Sequence, residues 1–233
     1  MLFRSDKSRF PSSVSPNKLV RTVRREIDRP RTFCGRFHHG ELQLEHLDHV
    51  QSMAAYIAML RGVNVSGHNT IKMDVLRGLC QGLGFRNVET YVQSGNIVFQ
   101  TAPENSATLS KRIGKTIFQS FGFDTPVLVR TSREIRNVIA SNPFLKEKGI
   151  DSSKLHVTFL SEAALRGSEK KLETLAMSPD RIYATPREIY LYCPGGYGRT
   201  KLSNSAIEKA LLVKATTRNW KTTNILFEMV SKL

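Results

Sequence analysis

The sequence predicts an α+β protein that contains two copies of a βαββαβ unit, each followed by an extra helix. Three observations support this prediction. Apolar runs of strand length alternate with segments whose apolar residues recur at helical spacing. Turns rich in Gly, Asn and Pro separate these segments in the order strand, helix, strand, strand, helix, strand, which is the split βαβ order of ferredoxin-like folds. The same order then occurs a second time, which indicates a structural duplication, although no residue period accompanies it.

The first 52 residues differ from the rest of the chain, because prolines among serines and paired arginines replace any apolar periodicity. Three interpretations stay open: a disordered basic arm, an organelle targeting peptide, or a stretch upstream of a fold that starts at Met53. Asp6, Glu26 and Asp28 count against a targeting peptide, since such peptides are poor in acidic residues. We therefore predict that residues 1–52 are an extension, disordered or outside the fold.

The first ferredoxin-like subdomain is predicted in residues 53–143. Its first strand is the apolar run Tyr56–Leu60, as expected of a strand covered on both faces. A helix that ends at Gly84 follows, and then a hairpin that turns at residues 94–96. A second helix, closed by Gly122, leads to the fourth strand.

The extra helix of this unit is predicted to begin with a capping box formed by Thr131 and Glu134, and to end before Pro143. A polar connection then leads to the second unit.

The second ferredoxin-like subdomain is predicted in residues 154–233, beginning with strand 155–160. A helix is expected to carry Leu165, Leu172 and Leu175, and a hairpin follows it. A Gly-rich loop then leads to a helix for which Ser205 and Glu208 fit a capping box. A short strand and a final helix that begins near Trp220 complete the unit.

The chain is strongly basic, with a net charge of +15. Residues 1–52 hold ten Lys or Arg against six Asp or Glu, and residues 53–233 hold 25 against 14, so the predicted folded part alone carries +11. Such a charge favours anionic partners, either nucleic acid or a phosphorylated small molecule. The alternative is that these side chains simply face water and serve solubility.

Cysteine usage favours a reducing compartment, and we predict a cytoplasmic protein. Cys34, Cys80 and Cys193 are isolated in the sequence and form no C-x-x-C motif. No apolar run approaches the roughly 18 residues that a membrane-spanning helix requires, so no membrane association is expected. The sequence does not predict an oligomeric state.

Four motifs resemble the DUF1697 family of uncharacterised bacterial proteins. They are Arg61-Gly62-Val63-Asn64-Val65-x-Gly67, the stretch from Tyr91 to Phe99, Lys201-Leu202-x-Asn204, and Ala215-Thr216-Thr217-Arg218-Asn219-Trp220. The resemblance runs from about Ala55 to the C-terminus and leaves residues 1–52 outside it. It implies two ferredoxin-like subdomains in a cytoplasmic protein, and it implies no activity, substrate or catalytic residue.

Three polar loops are the candidate binding elements. Loops at strand ends often hold binding groups, Arg offers a planar fork to phosphate or carboxylate, and glycines let the backbone approach a ligand. The loop after the first strand, the hairpin turn and the Gly-rich loop 195–201 meet this description, but whether they converge is left open. The candidate ligand-binding residues are Arg61, Asn64, Gly67, Asn69, Gln93, Asn96, Arg199, Lys201, Arg218 and Trp220. Each has a structural alternative, such as a local ion pair for Arg61, turn formation for Asn96 and core packing for Trp220.

The function predicted from these residues is binding of an anionic ligand, either nucleic acid or a phosphorylated small molecule. Two alternatives stay open: an enzyme that acts on a phosphorylated or nucleotide-like substrate, and a protein–protein interaction module. Neither G-x-x-x-x-G-K-[ST] nor G-x-G-x-x-G is present, so no cofactor is predicted. No set of residues has the spacing of metal ligands or of a catalytic triad, so no metal is predicted and the catalytic residues are unknown.

Overall fold

The computed structural model describes residues 52–65 and 67–233. The predicted extension of residues 1–52 therefore lies, apart from Ser52, outside the described residues. In the first half the elements are β1 Ala54–Leu60, α1 Met73–Gly82, β2 Arg86–Tyr91, β3 Asn96–Thr101, α2 Ser106–Phe121, β4 Val127–Thr131 and α3 Ser132–Ala140. In the second half they are β5 Leu155–Leu160, α4 Glu169–Glu173, β6 Arg181–Ala184, β7 Glu188–Tyr192, α5 Asn204–Leu211, β8 Ala215–Asn219 and α6 Trp220–Val230.

The strands form two antiparallel four-stranded sheets of identical topology. Their orders are β2-β3-β1-β4 and β6-β7-β5-β8, so each half places its first strand in the centre and its fourth at one edge. This arrangement, with helices interleaved between strands, confirms the predicted α+β class with two ferredoxin-like units. The predicted division at 53–143 and 154–233 stays a prediction, since the described residues belong to one compact unit.

The register of the two sheets is also the same, which allows residues to be matched between the halves. Met59 on β1 lies opposite Asn96 and Leu128, and Phe159 on β5 lies opposite Glu188 and Thr216. We call two residues equivalent when they hold the same position in this register. Asn96 is thus equivalent to Glu188, and Leu60 to Leu160.

Both faces of each central strand are buried. One face of the first sheet packs on α1 and α2 through residues such as Leu76 and Ile113, and one face of the second sheet packs on α4 and α5. The two remaining faces share a core, in which Met59 and Leu128 meet Phe159 and Trp220. The sheet face that RNA-reading modules of this fold expose to stack bases is therefore occupied here by the other half of the chain.

Local start and stop signals largely explain the element boundaries. The side chain of Thr131 accepts from the N–H of Glu134, and the Glu134 carboxylate accepts from the N–H of Thr131, so the predicted capping box is confirmed. Gly122 ends α2 in the left-handed region with φ 75°, where glycine carries no Cβ penalty.

Two local predictions were wrong. Leu165 was expected on a helix but is 74% exposed, and α4 begins only at Glu169, after Gly167 adopts φ 82°. Ser205 was expected to cap α5, but Ser203 does so by accepting from the N–H of Ala206. The carboxylate that the capping box required is engaged elsewhere, as described below.

Candidate functional site

The loop after β1 and the hairpin turn between β2 and β3 lie against each other. Asn64, with φ 54°, donates through Nδ2 to the carbonyl oxygens of Gln93 at 2.7 Å and Ile71 at 2.9 Å. Its Oδ1 accepts from the N–H of Ile71 at 2.8 Å. Two of the three predicted loops therefore converge, and the Asn64 side chain forms part of the link that joins them.

Gly95 makes this contact sterically possible. Its φ is 70°, and a Cβ at this position would lie 2.7 Å from Val63 Cγ2 and 2.8 Å from Leu60 Cβ. The carbonyl oxygen of Gly95 accepts from the N–H of Leu60 at 2.8 Å. Glycine is thus required here twice, for its left-handed backbone and for the close approach of the loop.

Arg61 links the end of β1 to α5 in the second half. Its Nε and Nη2 donate to the two carboxylate oxygens of Glu208 at 3.0 and 2.8 Å, and Nη2 also donates to Ser205 Oγ at 3.2 Å. Glu208 Oε1 accepts in addition from the N–H of Ala215 at 3.0 Å. The Arg61 side chain is 26% exposed, so the pair sits at the rim of the contact between the halves.

The Gly-rich loop contributes an ordered tyrosine to the same region. Tyr197 contacts Thr217 Oγ1 through its hydroxyl at 3.1 Å, and Thr217 Oγ1 donates to Asn204 Oδ1 at 2.7 Å. The Tyr197 ring stacks on His156, with 4.9 Å between ring centroids. Burial raises the pKa of Tyr197 and lowers the pKa of His156.

Arg199 and Lys201, by contrast, are exposed. Both precede α5, which begins three residues after Lys201. Arg61 contacts Ser205, which lies in the first turn of α5, four residues after Lys201. The first predicted loop therefore reaches the helix that follows the third, through Arg61 and Ser205.

Arg218 is buried and its donors are used within the protein. Its Nη2 donates to the carbonyl oxygens of Leu60 at 2.7 Å and Ser94 at 3.1 Å, and its Nε donates to Asn96 Oδ1. Burial lowers the pKa of Arg218 to about 10. Trp220, the next large side chain, is 8% exposed and belongs to the shared core.

Arg130 is the equivalent of Arg218, and sequence reasoning overlooked it. It donates through Nη2 to the carbonyl oxygen of Leu160 at 2.6 Å and through Nε to Glu188 Oε1 at 3.2 Å. Burial lowers the pKa of Arg130, and the carboxylate of Glu188 opposes this shift. A signal was available, because each arginine stands two residues before an extra helix in its half of the chain.

The remaining candidates are peripheral or structural. Gly67 is exposed with φ 77°, and Asn69, with φ 50°, donates to the carbonyl oxygen of Gly62 at 3.4 Å. Cys80 and Cys193 are buried, and burial raises the pKa of their thiols to about 12 and about 11.

In residues 52–65 and 67–233, no three His, Cys, Asp or Glu side chains are grouped so that they could hold a metal ion. No helix in this part of the chain is long and apolar enough to cross a membrane.

Comparison with known proteins identifies the family. The model of the family described as protein of unknown function (DUF1697) matches residues 53–190. The chain belongs to the DUF1697 family. The matched range starts at Met53 and includes the motifs around Arg61 and Ser94, whereas the motifs at Lys201 and Arg218 lie beyond it.

A solved structure shows the same fold. The conserved bacterial protein SP0830 from Streptococcus pneumoniae is 22% identical, covers 77% of this chain and 99% of its own, and superposes with a TM-score of 0.58. No curated protein matches the chain. The comparisons thus establish the family and the fold, and the function has to be argued from the residues.

Proposed function

We propose that this DUF1697 protein binds a phosphorylated ligand at the surface formed by Arg61, Arg199, Lys201 and Ser205, which we call the junction surface. The observation that supports this most directly is the reach of Arg61 across the molecule to Ser205 at the start of α5. This contact brings a guanidinium group to the helix that follows the basic Gly-rich loop. Guanidinium and ammonium groups are the side chains that bind phosphate most strongly.

The electrostatic setting supports the same proposal. Residues 53–233 carry a net charge of +11, and Glu208 is engaged by Arg61 and by the backbone of β8 rather than by Arg199 or Lys201. No described residue accepts a hydrogen bond from Nη1 of Arg61, whose side chain is partly exposed. Three cationic groups and a hydroxyl would then face an incoming phosphate.

The other sequence-based candidates have a different role in this proposal. Asn64, Asn96, Arg218 and Trp220 would support the junction surface from behind, because their polar atoms or rings are engaged within the protein. Gly67, Asn69 and Gln93 would lie at its margin. The ligand would therefore meet side chains rather than the buried arginines.

Binding of defined probes tests the proposal. Titration with pyrophosphate, and separately with a single-stranded and a duplex DNA oligonucleotide, is followed by calorimetry at about 50 and 200 mM salt, a range over which multivalent phosphate contacts weaken steeply. The double variant Arg199→Glu/Lys201→Glu is expected to lose at least about tenfold in affinity, since each reversed charge removes an attraction and adds a repulsion.

The matched control is Arg77→Glu/Lys115→Glu, which makes the same change in net charge at exposed positions on α1 and α2. Equal losses in both double variants would reduce the effect to overall charge and contradict the junction surface. Absence of binding to every probe at 50 mM salt would contradict the proposed function as a whole. Preference for pyrophosphate over both oligonucleotides would assign the ligand to the small-molecule class.

A further inference from the structure

The outer edge of β4 carries backbone groups that no residue of the described ranges satisfies. Arg61 N–H donates to the carbonyl oxygen of Pro126, so Arg61 and Pro126 form a hydrogen-bonded pair in the antiparallel ladder. Such pairs alternate along a ladder, so Val127, Val129 and Thr131 direct their N–H and C=O groups away from β1. The N–H of Thr131 donates to the carboxylate of Glu134, and the carbonyl oxygen of Val129 accepts from Arg130 Nη1. Two donors and one acceptor remain, at Val127 and Val129.

An open cleft of about 710 Å³ runs along this edge. All five residues of β4 line it, although the side chains of Val127 and Val129 are buried in the first core. One wall is the first turns of α2, and the other is formed from the second half of the chain. The lining side chains on these two walls include Ser106, Ser110, Lys111, Ser161, Glu162 and Arg187.

In the second half of the molecule, a side chain caps one of the equivalent outward backbone groups. Ala215 is equivalent to Val127, and its outward N–H is capped by Glu208, which Arg61 holds in place. Ser161 is equivalent to Arg61, and Ser110 holds the same helical position in α2 as Glu208 in α5. The short serines leave open in the first half the space that the ion pair fills in the second.

We propose that a single extended peptide segment of a partner protein docks in this cleft as a fifth strand beside β4. Exposed strand edges are templates for such pairing, and main-chain hydrogen bonds then supply affinity while alternate side chains supply specificity. This inference concerns a different site from the junction surface and does not depend on it.

Charge complementarity specifies the peptide. Successive side chains of a strand point to opposite faces, so alternate residues of the peptide would face α2 and the second half. Lys111 lies on the first wall and Glu162 on the second, and neither forms a salt bridge with a described residue. The preferred segment therefore carries an acidic residue towards Lys111 and a basic residue immediately next to it towards Glu162.

The test uses a fluorescein-labelled Thr-Glu-Lys-Glu-Thr peptide, blocked at both ends, and the full chain. Fluorescence anisotropy at low salt is expected to show saturable binding that an all-lysine Thr-Lys-Lys-Lys-Thr peptide does not reproduce. Lys111→Glu is expected to reduce affinity at least about fivefold, while Lys115→Glu, one turn later on the exposed face of α2, leaves it unchanged.

Backbone pairing is tested separately with two N-methylated peptides. A strand pairs with its neighbour through alternate residues only. N-methylation of the peptide amides that face β4 should abolish binding, and N-methylation of the intervening amides, which face away, should preserve it. The amide protons of Val127 and Val129 should also become protected from exchange when peptide is added. Equal binding of both methylated forms, or no binding of the parent peptide, would overturn the proposal. If the amides of Val127 and Val129 are protected without peptide, and more strongly at higher protein concentration, a second copy of the chain occupies the cleft. That result would also overturn the proposal.

Discussion

Arg218 donates through Nη2 to the carbonyl oxygen of Leu60, 158 residues earlier in the chain, at 2.7 Å. Arg130 makes the equivalent bond to Leu160 at 2.6 Å. Each half of the molecule therefore inserts an arginine into the end of the other half's central strand. Because the guanidinium groups are buried and hydrogen-bonded, the two contacts act as reciprocal clamps across the shared core.

Removing one clamp should destabilise the whole molecule. Arg218→Met keeps the apolar stem but leaves Asn96 Oδ1 without its donor and the carbonyl of Leu60 with only the Thr216 hydroxyl, at 3.4 Å. The free energy of unfolding is expected to fall by roughly 3 kcal/mol, since each buried group left unpaired costs about 1–3 kcal/mol. Urea unfolding measures this. Arg181→Met is the control, because the Arg181–Glu147 pair is about half exposed and exposed ion pairs contribute little to stability. Equal losses would mean that burial of the clamp is unimportant.

Gly95→Ala should be much more costly than the same change at Gly122. Both glycines have positive φ, but a Cβ at Gly122 would meet no atom within 4 Å, whereas at Gly95 it would overlap Val63 and Leu60. Gly122→Ala should cost about 1–2 kcal/mol for the left-handed backbone, and Gly95→Ala about 1–3 kcal/mol more for the overlap. The urea unfolding midpoints of the two variants measure this difference. Coincident midpoints would show that the loop after β1 can move away from the added Cβ of Gly95→Ala.

Glu208→Gln tests whether Arg61 takes part in the proposed phosphate site. The amide keeps the shape of the side chain and can still accept from Ala215, but it no longer neutralises Arg61. Pyrophosphate affinity should rise about threefold to tenfold, as expected for one partly exposed charge at low salt. Calorimetry with the wild-type chain as reference measures the change. An unchanged or lower affinity would exclude Arg61 as a ligand contact and confine the site to the Gly-rich loop.

The stability of the protein should decrease below neutral pH in a way that depends on His156. Burial against Tyr197 lowers the pKa of His156 in the folded state, so the unfolded chain takes up the proton more readily. The contribution of His156 is therefore present above the unfolded-state pKa of about 6.5 and is lost as pH falls below it. His156→Phe keeps a ring for the stack and should flatten the profile of unfolding free energy between about pH 5 and 7.5. His68→Phe, at an exposed position, is the control and should reproduce the wild-type profile.

Much of the fold could be read from local sequence signals. The apolar run Tyr56–Leu60, the stop at Gly122 and the capping box at Thr131 depend on near neighbours in the chain, and the structure confirms all three. The predicted cap at Ser205 was wrong for the opposite reason. Glu208 forms an ion pair with Arg61, which is 147 residues away in the chain. No local sequence pattern predicts a partner at that separation.

The candidate site was harder to foresee because its polar residues serve tertiary contacts. Arg218 stands between threonine and asparagine in a short strand, a composition that suggests an exposed edge. It is buried because the second half presents it to Leu60 and Asn96. Burial of this kind depends on the docking of the two halves, which a single sequence does not encode in any short window. Only a position-by-position match of the two halves would have paired Arg218 with Arg130.

The reciprocity of the two arginine clamps has a consequence for the symmetry of the molecule. An interface is isologous when residue i of the first unit contacts residue j of the second, and residue i of the second unit likewise contacts residue j of the first. Twofold-symmetric dimers of identical subunits have this arrangement. The two halves of this chain meet in that manner. The molecule therefore has the architecture of a twofold-symmetric dimer within a single chain, in which the two equivalent edges differ: one carries an ion pair and the other a cleft.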